Sequence, residues 1–429
     1  MKIAWTSEQI IALAQDKYGV RAGRTLSTAE KWQFLGQCSP WLWGMFPTRS
    51  KKPPLQTSID LSSLRFFCTC PDKKYPCSHA LALLLLYQDR PEVFPEKKKP
   101  TWVQTTAISK PIPQKPNRDT QSDFAALQTG LDALEQWLYD LMRNGLAALQ
   151  SQPKQYWIRM ADRLVDARAP TLADEIRALP NIVGQDDDWP EPLLARLGQL
   201  HLLIEGFKRF DQLALATQAD LKAAVGWSPA FHHADPPECI QDRWQVLGWR
   251  GIQRRKHKLK RFWLWGEAQQ RPAFIDMAFD FSDHGCVLVP GGGVKATLRF
   301  YPSTTPLQAT LFDTQELYQP QKTVPALASI KAVGQQYAQL TAQNPWLPAY
   351  PFIIQNSQAT LRAKQWFIVD DAGFCLPLPE KFEQGWHLQA VSQDHESRLF
   401  GEWNGETFLP LSLWTQGTWH SLHTLKGIR

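Results

Sequence analysis

The spacing of apolar residues changes along the 429-residue chain. Between residues 123 and 225 the apolar positions recur every three or four residues, which places them on one face of a helix. The clearest run is Leu127, Leu131, Leu134, Leu138 and Leu141. After Pro236 the period becomes two, as at Ile275 and Met277, and a strand with one buried face has that period. The pattern predicts a helical middle region followed by a mainly antiparallel β C-terminal region.

Polar clusters and glycines mark the turns between these elements. Asn404-Gly405 predicts a hairpin, because both residues tolerate positive φ. Asp370 to Gly373 and Asp186 to Asp188 predict loops, and one helix is expected near Ile330 to Ala342. Gly291 to Gly293 lacks the Gly-Lys-Ser/Thr sequence of a phosphate-binding loop, so it is interpreted as a turn.

A proline-rich and lysine-rich segment divides the N-terminal part from the helical region. Residues 89–122 contain six prolines and the run Lys97 to Lys99, which disfavours regular structure. The apolar pair Trp102-Val103 is expected to dock on a neighbouring surface. The predicted domains are residues 1–88, a linker over 89–122, a helical domain over 123–230 and a β-rich domain over 231–429.

The longest apolar run covers Ala80 to Tyr87. A helix that crosses a bilayer needs roughly 20 apolar residues, so this run predicts a buried helix. The first residues show no signal-peptide pattern either. We therefore expect a cytoplasmic protein without a membrane partner.

The strongest chemical signal is a C-x-C-x6-C-x-H motif formed by Cys68, Cys70, Cys77 and His79. Three thiolates and one imidazole are the ligand set of a closed tetrahedral zinc site. The alternative is three unconnected cysteines beside a surface histidine. A small module seldom has a sufficient core of its own, whereas a structural zinc contributes about 10 to 16 kcal/mol of apparent binding free energy. The motif therefore predicts one structural Zn2+.

The residues around the motif complete a small module. Apolar residues upstream suggest extended chain leading to Cys68, and the helix after His79 would direct its N-terminus at the thiolates. Lys73 and Lys74 could offset the charge of the site. The expected fold class is α+β and multidomain, with a ββα zinc-finger module over about 57–88 in the N-terminal domain.

These residues resemble the SWIM zinc finger, whose ligands match Cys68, Cys70, Cys77 and His79 one by one. The wider chain, with Trp41 to Gly44 and the region from Leu138 to Leu146, is similar to full-length bacterial SWIM zinc finger proteins. The resemblance implies zinc binding and contact with DNA or proteins. In that family such proteins are commonly encoded near AAA+ ATPases and von Willebrand factor A-domain proteins, so the resemblance also implies a multi-protein assembly of this kind.

Charge is unevenly distributed along the chain. The total is +6, but residues 1–120 contain 18 basic and 9 acidic side chains, so the basic excess is N-terminal. A second basic run, Arg250 to Arg261, is flanked by tryptophans. Cations beside aromatic rings are typical of single-stranded nucleic-acid surfaces. A solvated hairpin tip whose strands place the tryptophans in the β core is preferred, because charge runs in loops are common and the run matches no standard nucleic-acid motif. DNA or RNA binding is kept as the alternative function.

The remaining candidates carry less information. The segment His232 to Cys239 contains metal-capable side chains without a recognised ligand spacing, so a boundary loop is preferred over a second metal site. The single cysteines are interpreted as small core residues in a reducing compartment: Cys38, Cys239, Cys286 and Cys375. The sequence contains no recognised catalytic motif. We expect a non-enzymatic zinc-binding adaptor, with an unrecognised enzyme site in the β-rich domain as a further alternative.

Overall fold

The structure is a computed structural model. It describes residues 6–14, 17–48, 53–61, 65–72, 76–103, 121–227, 238–254, 257–278, 288–320, 324–392, 397–415 and 417–422. Over these residues the chain is α+β, as predicted, with a β-containing N-terminal module, a helical middle region and a β-rich C-terminal region. Within the same ranges, no helix combines the length and apolar character needed to cross a membrane.

The N-terminal module combines three helices with a four-stranded antiparallel sheet in the order β1-β2-β3-β4. The helices are α1 (Ser7–Ala12), α2 (Lys17–Leu26) and α3 (Ser78–Asp89). The strands are β1 (Gln33–Cys38), β2 (Trp41–Phe46), β3 (Leu55–Asp60) and β4 (Arg65–Cys68). Every side chain from Ala80 to Leu86 is buried, which explains why this run is apolar on all faces rather than amphipathic.

The first half of the proline-rich segment packs on this module. A 3-10 turn at Pro91–Val93 leads to Phe94, which is buried in the module's core. The backbone of β1 pairs with the segment through Gln37 and Glu96. Val103 is buried, so the predicted docking of Trp102-Val103 is confirmed for the valine. Residues 104–120 lie outside the described part of the chain.

The middle region is helical, as the leucine spacing predicts. Its helices are α4 (Gln121–Asn144), α5 (Lys154–Asp166), α6 (Pro170–Ala178), α7 (Pro190–Lys208) and α8 (Leu215–Ala224). The five leucines of the predicted run are all buried on α4. Gly130 permits close contact with the C-cap residue of α5, because a Cβ placed there would lie 2.2 Å from the Ala167 Cβ. The region has its own core.

A five-stranded antiparallel sheet begins the C-terminal region, in the order β7-β6-β5-β8-β9. Its strands are β5 (Cys239–Arg254), β6 (His257–Gly266), β7 (Arg271–Ala278), β8 (Gly293–Phe300) and β9 (Ala309–Tyr318). Ile275 and Met277 are buried on β7 as the alternation predicts, whereas Phe279 and Phe281 lie outside the described residues. The turn predicted at Gly291 to Gly293 is confirmed, since β8 begins at Gly293.

Two smaller sheets and two helices complete the chain. The elements are α9 (Ile330–Gln343), β10 (Tyr350–Gln355), β11 (Ser357–Arg362), β12 (Gln365–Asp370), β13 (Cys375–Pro377), α10 (Gly385–Val391), β14 (Arg398–Trp403), β15 (Phe408–Thr415) and β16 (Thr418–Ser421). The sheets are ordered β10-β14-β15-β16 and β11-β12-β13. The predicted helix is confirmed as α9, and Asn404-Gly405 connects β14 to β15.

The N-terminal module and the five-stranded sheet share one hydrophobic core. Leu81 and Leu84 of α3 belong to the same buried cluster as Trp244, Trp249 and Phe262 of the sheet. The helical region is tied to the β-rich region by Asp220, a buried carboxylate. It accepts hydrogen bonds from the hydroxyl groups of Ser303 and Thr304, at 2.6 and 2.5 Å. The zinc-finger module is therefore built into a larger structure.

The single cysteines correct one expectation. Cys38, Cys239 and Cys375 are exposed rather than buried. Each lies at the end of a strand, β1, β5 and β13 respectively, and none of the three belongs to a hydrophobic core cluster of the described residues. Cys286 lies outside the described residues.

Candidate metal centre

The four residues of the C-x-C-x6-C-x-H motif come from a strand end, a turn and a helix start. Cys68 ends β4, opposite Thr57 of β3. The pairing continues one residue further, because Gln56 and Thr69 exchange two hydrogen bonds of 2.9 and 3.0 Å. This extension directs the chain toward Cys70. The predicted ββα arrangement over β3, β4 and α3 is confirmed.

The other half of the motif lies at the beginning of α3. Cys77 is the N-cap residue of the helix, and its backbone carbonyl accepts a hydrogen bond from the Leu81 N–H at 3.1 Å. His79 lies in the first turn, where its ring contacts the Phe46 ring at a centroid distance of 5.0 Å. The positive end of the helix dipole therefore faces the thiols, and it stabilises negative charge on them.

The four side chains converge on one point. One ligand atom from each of Cys68, Cys70, Cys77 and His79 lies within 4.8 Å of all the others. A tetrahedral zinc ion with Zn–S bonds of about 2.3 Å holds its sulfurs about 3.8 Å apart. Cys77 is buried and the other three are partly buried. The cluster is arranged to bind one metal ion.

Because the four side chains lie close together, hydrogen bonds among them shift the pKa values of Cys70, Cys77 and His79. Hydrogen bonds from Cys68 and Cys77 strongly lower the pKa of the Cys70 thiol, whereas hydrogen bonds to Cys68 and Cys70, together with burial, strongly raise the pKa of Cys77. Burial opposes the charged form of His79, but hydrogen bonds to Cys68 and Cys70 outweigh it and raise its pKa to about 9. The lowered pKa of Cys70 thus places negative charge on a sulfur at the point where the four side chains converge and a metal cation would bind.

The donor set fits zinc. Thiolates and imidazole are the ligands that Zn2+ prefers in structural sites, and four of them close its coordination shell. The buried Nδ1 atom of His79 has no hydrogen-bond partner in the described structure, so the imidazole keeps a nitrogen that the protein does not use. The predicted offsetting lysines, Lys73 and Lys74, lie outside the described residues.

A contact to one of the four ligand residues was not predicted from the motif. The Thr57 hydroxyl lies 3.3 Å from Cys68 Sγ, and Thr57 is completely buried. The signal for it is the strand register, because Thr57 is the direct partner of Cys68 across the β3–β4 pair. Such contacts orient the first-sphere ligands and tune them.

A second group of metal-capable side chains lies in the helical region. Glu135 of α4 approaches His201 and Glu205 of α7. Lys208 already lies between the carboxylates, with its Nζ 2.6 Å from Glu135 and 2.8 Å from Glu205. These contacts raise the pKa of Lys208, and we interpret the group as an ion-pair cluster. Only the His201–Glu205 spacing of four was visible in the sequence.

The described parts of the basic run lie on the paired ends of β5 and β6, so the hairpin expected from the sequence is present, but Lys260 is buried rather than solvated. Residues 255 and 256, between the two strands, lie outside the described part of the chain. Three of the four flanking tryptophans, Trp244, Trp249 and Trp263, are buried, so their faces are not available for stacking, whereas Trp265 is partly buried. The structure describes the side chains of four of the seven cations, and three of these four are engaged within the fold. Arg250 pairs with Glu402 at 2.8 Å, Arg261 pairs with Asp276 at 2.8 Å, and Lys260 is buried.

The boundary segment from His232 to Cys239 is mostly outside the described residues, which resume at Glu238. Glu238 pairs with Arg271 at 3.1 Å, and Cys239 is exposed. The described part of this segment therefore contains two metal-capable side chains, Glu238 and Cys239, and Glu238 already forms an ion pair. The suggestion of a metal site there gains no support from them.

Comparison with known families identifies two parts of the chain. Residues 64–88 match the SWIM zinc finger, and residues 124–225 match the SWIM-associated four-helix bundle domain. The first match covers β4, the four clustered side chains and nearly all of α3. The second covers the helical region. No curated protein and no solved structure matches the chain.

Proposed function

We propose that this protein is a non-catalytic adaptor, whose Cys68, Cys70, Cys77 and His79 hold one structural zinc ion. The observation that carries the proposal is the closed set of four ligand side chains next to a helix buried on every face. Four protein ligands leave no position at zinc for a substrate. Zinc at this position supplies a fixed cross-link between the β4 end and the α3 start.

The surroundings of the site support a role for zinc in folding. α3 contributes to a core that also contains side chains from the five-stranded sheet. Holding the N-terminal end of α3 in position therefore also holds the α3 side chains that pack in this shared core. In the absence of the metal, only hydrogen bonds among the four side chains would join the end of β4 to the start of α3, and these are weaker than metal–ligand bonds.

The partners we propose are proteins. The resemblance to SWIM zinc finger proteins favours an assembly with an AAA+ ATPase and a von Willebrand factor A-domain protein. We also place the protein in the cytoplasm. Exposed, unpaired Cys38, Cys239 and Cys375 in the described structure support a reducing compartment.

The test is an affinity capture with the full chain as bait, in parallel with its Cys77→Ser/His79→Ala variant. Each lysate is treated with nuclease and washed at low and moderate salt. Partners retained after nuclease by the parent chain, and lost by the variant, are the expected result. Equal recovery on both baits would contradict a zinc-dependent adaptor, and loss of all partners after nuclease would favour nucleic-acid binding instead.

Nucleic-acid binding is the second candidate function. The observation that favours it is the basic excess of residues 1–120, with 18 basic against 9 acidic side chains. Phosphate neutralisation by lysine and arginine supplies most of the affinity in non-specific binding. The basic run at 250–261 contributes less than its composition suggests, because three of its cations are engaged within the fold.

A further inference from the structure

The zinc-finger helix itself cannot act as a recognition helix. In zinc fingers that read DNA, the helix of the ββα unit enters the major groove and presents side chains to the bases. Here all seven side chains from Ala80 to Leu86 are buried. Any nucleic-acid contact of this module must therefore use another surface.

The neighbouring helix α2 lies against α3 and has one free face. The two helices approach closely at Gly23, where an added Cβ would lie 3.2 Å from the Leu81 Cβ. On the opposite side of α2, Lys17, Arg21 and Arg24 are exposed. Their spacing of four and three residues places them on one helical face.

This face is basic, and the described part of the chain places no acidic partner on it. α2 contains no acidic residue, and within the described ranges none of the three cations forms an ion pair. Lys31 adds a fourth positive charge at the end of the helix, where its Nζ donates to the Thr25 carbonyl at 2.5 Å. The same face borders a surface cavity of about 310 Å³ lined by Lys17, Val20, Arg21, Arg24 and Thr25.

The dimensions and chemistry match a phosphate chain. Arg24 lies seven residues after Lys17, which is about 10 Å along the helix at 1.5 Å per residue. One strand of a duplex presents a phosphate about every 3.4 Å along its axis, so three cations over this distance can reach about three phosphates. Tyr18, with 81% of its surface exposed, lies three residues before Arg21 and offers a ring for base stacking.

We propose that the outer face of α2, formed by Lys17, Tyr18, Arg21 and Arg24, binds the phosphate backbone of a nucleic-acid strand. This surface would be the site of the nucleic-acid binding proposed above as the second candidate function. The inference rests on the proposed function, because it requires the N-terminal module to be ordered by zinc. Charge complementarity and the exposed tyrosine favour a nucleic acid over an acidic protein segment, which lacks bases to stack.

The test uses the full zinc-loaded chain and a fluorescein-labelled 20-nucleotide single strand of mixed sequence. Binding is followed by fluorescence anisotropy at several salt concentrations. The variant is Lys17→Gln/Arg21→Gln/Arg24→Gln. The matched control is Lys154→Gln/Arg159→Gln/Arg163→Gln, which removes one lysine and two arginines from exposed positions of another helix, α5.

We expect the α2 variant to reduce the slope of log affinity against log salt by about 2, since each lost phosphate contact contributes about 0.7 for a single strand. The control should leave the slope within about 0.5 of the parent. An unchanged slope in the α2 variant would overturn the proposal, and so would equal reductions in both variants. Polyglutamate of the same charge, bound as tightly and with the same dependence on α2, would overturn it in favour of an acidic protein partner.

Zinc content is measured on every sample, and this separates the two proposals. A parent chain that contains zinc but shows no α2-dependent binding refutes only the nucleic-acid surface. A parent chain without zinc refutes the zinc-binding adaptor, whatever the oligonucleotide result. The α2 variant is expected to keep its zinc, because α2 contributes no ligand to the cluster.

Discussion

The hydroxyl group of Thr57 lies 3.3 Å from the sulfur of Cys68, across a directly paired position of β3 and β4. With the thiol ionised, as a zinc-bound sulfur is, the hydroxyl is the donor in this contact. Thr57 is completely buried, so water cannot replace its hydroxyl. The sheet thus holds one ligand through a side chain outside the motif.

Replacing this hydroxyl should weaken zinc binding. We expect Thr57→Val, which keeps the volume and β-branching but removes the donor, to lower zinc affinity by about 10- to 100-fold. Competition with a chromophoric chelator measures this change. Thr57→Ser keeps the hydroxyl and serves as the control, which should stay close to the parent. A valine variant with parental affinity would show that the contact does not tune the site.

Zinc affinity should depend steeply on pH. In the metal-free cluster, His79 has a pKa of about 9, and the pKa of Cys77 is also raised. Both groups therefore hold a proton at pH 7 that zinc must displace. Two displaced protons predict a loss of about 100-fold in apparent affinity for each pH unit of acidification below 9. Calorimetry in buffers of different ionisation enthalpy counts the protons, and release of none would contradict the expectation.

Lys260 should destabilise the fold below its pKa. Burial lowers that pKa to about 8, from an ordinary value of 10.5, although the ammonium group lies 4.5 Å from the Trp249 ring centre. Between about pH 8 and 10.5 the unfolded chain keeps a proton that the folded chain has lost. The free energy of unfolding should therefore rise with pH across this window, by at most about 3 kcal/mol.

A substitution isolates this contribution. Lys260→Met should raise the free energy of unfolding at pH 7 by about 1 to 2 kcal/mol, because the loss of the cation–π contact offsets part of the gain. It should also flatten the pH dependence above pH 8 in guanidinium titrations. Lys258→Met, at an exposed position of the same strand, should change stability by less than about 0.5 kcal/mol. Destabilisation by Lys260→Met would mean that the charge is well accommodated.

Two glycines of the helical region should respond in opposite directions to the same substitution. Gly130→Ala places a methyl group 2.2 Å from the Ala167 Cβ, and we expect a loss of about 1 to 3 kcal/mol in the free energy of unfolding. Gly198→Ala meets nothing within 4 Å on α7 and should add about 0.5 to 1 kcal/mol through helix propensity. Denaturant titrations of both variants test this, and equal effects would argue against close α4–α5 packing.

Local patterns predicted much of this fold because their physical causes are local. The leucine spacing on α4, the hairpin at Asn404-Gly405 and the helix from Ile330 depend on periodicity and turn chemistry within a few residues. The metal cluster was also predictable, since its four side chains lie within twelve residues of sequence.

Relationships between distant segments could not be predicted in this way. The contact between Thr57 and Cys68 depends on strand register, and the cluster of Glu135 with Glu205 depends on how α4 packs on α7. The composition of α3 predicted a buried helix. It did not predict that residues beyond 240, from the five-stranded sheet, would share the core that buries it. The exposed cysteines show that residue type alone does not determine burial. They were predicted to be core residues, but a cysteine at a strand end can remain exposed.

We propose that zinc at Cys68, Cys70, Cys77 and His79 holds the N-terminal module in place. The most direct measurement is elemental analysis of the purified chain and of its Cys77→Ser/His79→Ala variant, combined with hydrogen exchange of the α3 amides. We predict one zinc per parent chain, none in the variant, and loss of exchange protection from Ala80 to Leu86 in the variant. A parent chain without zinc, or a variant that keeps full metal content and full α3 protection, would contradict the claim.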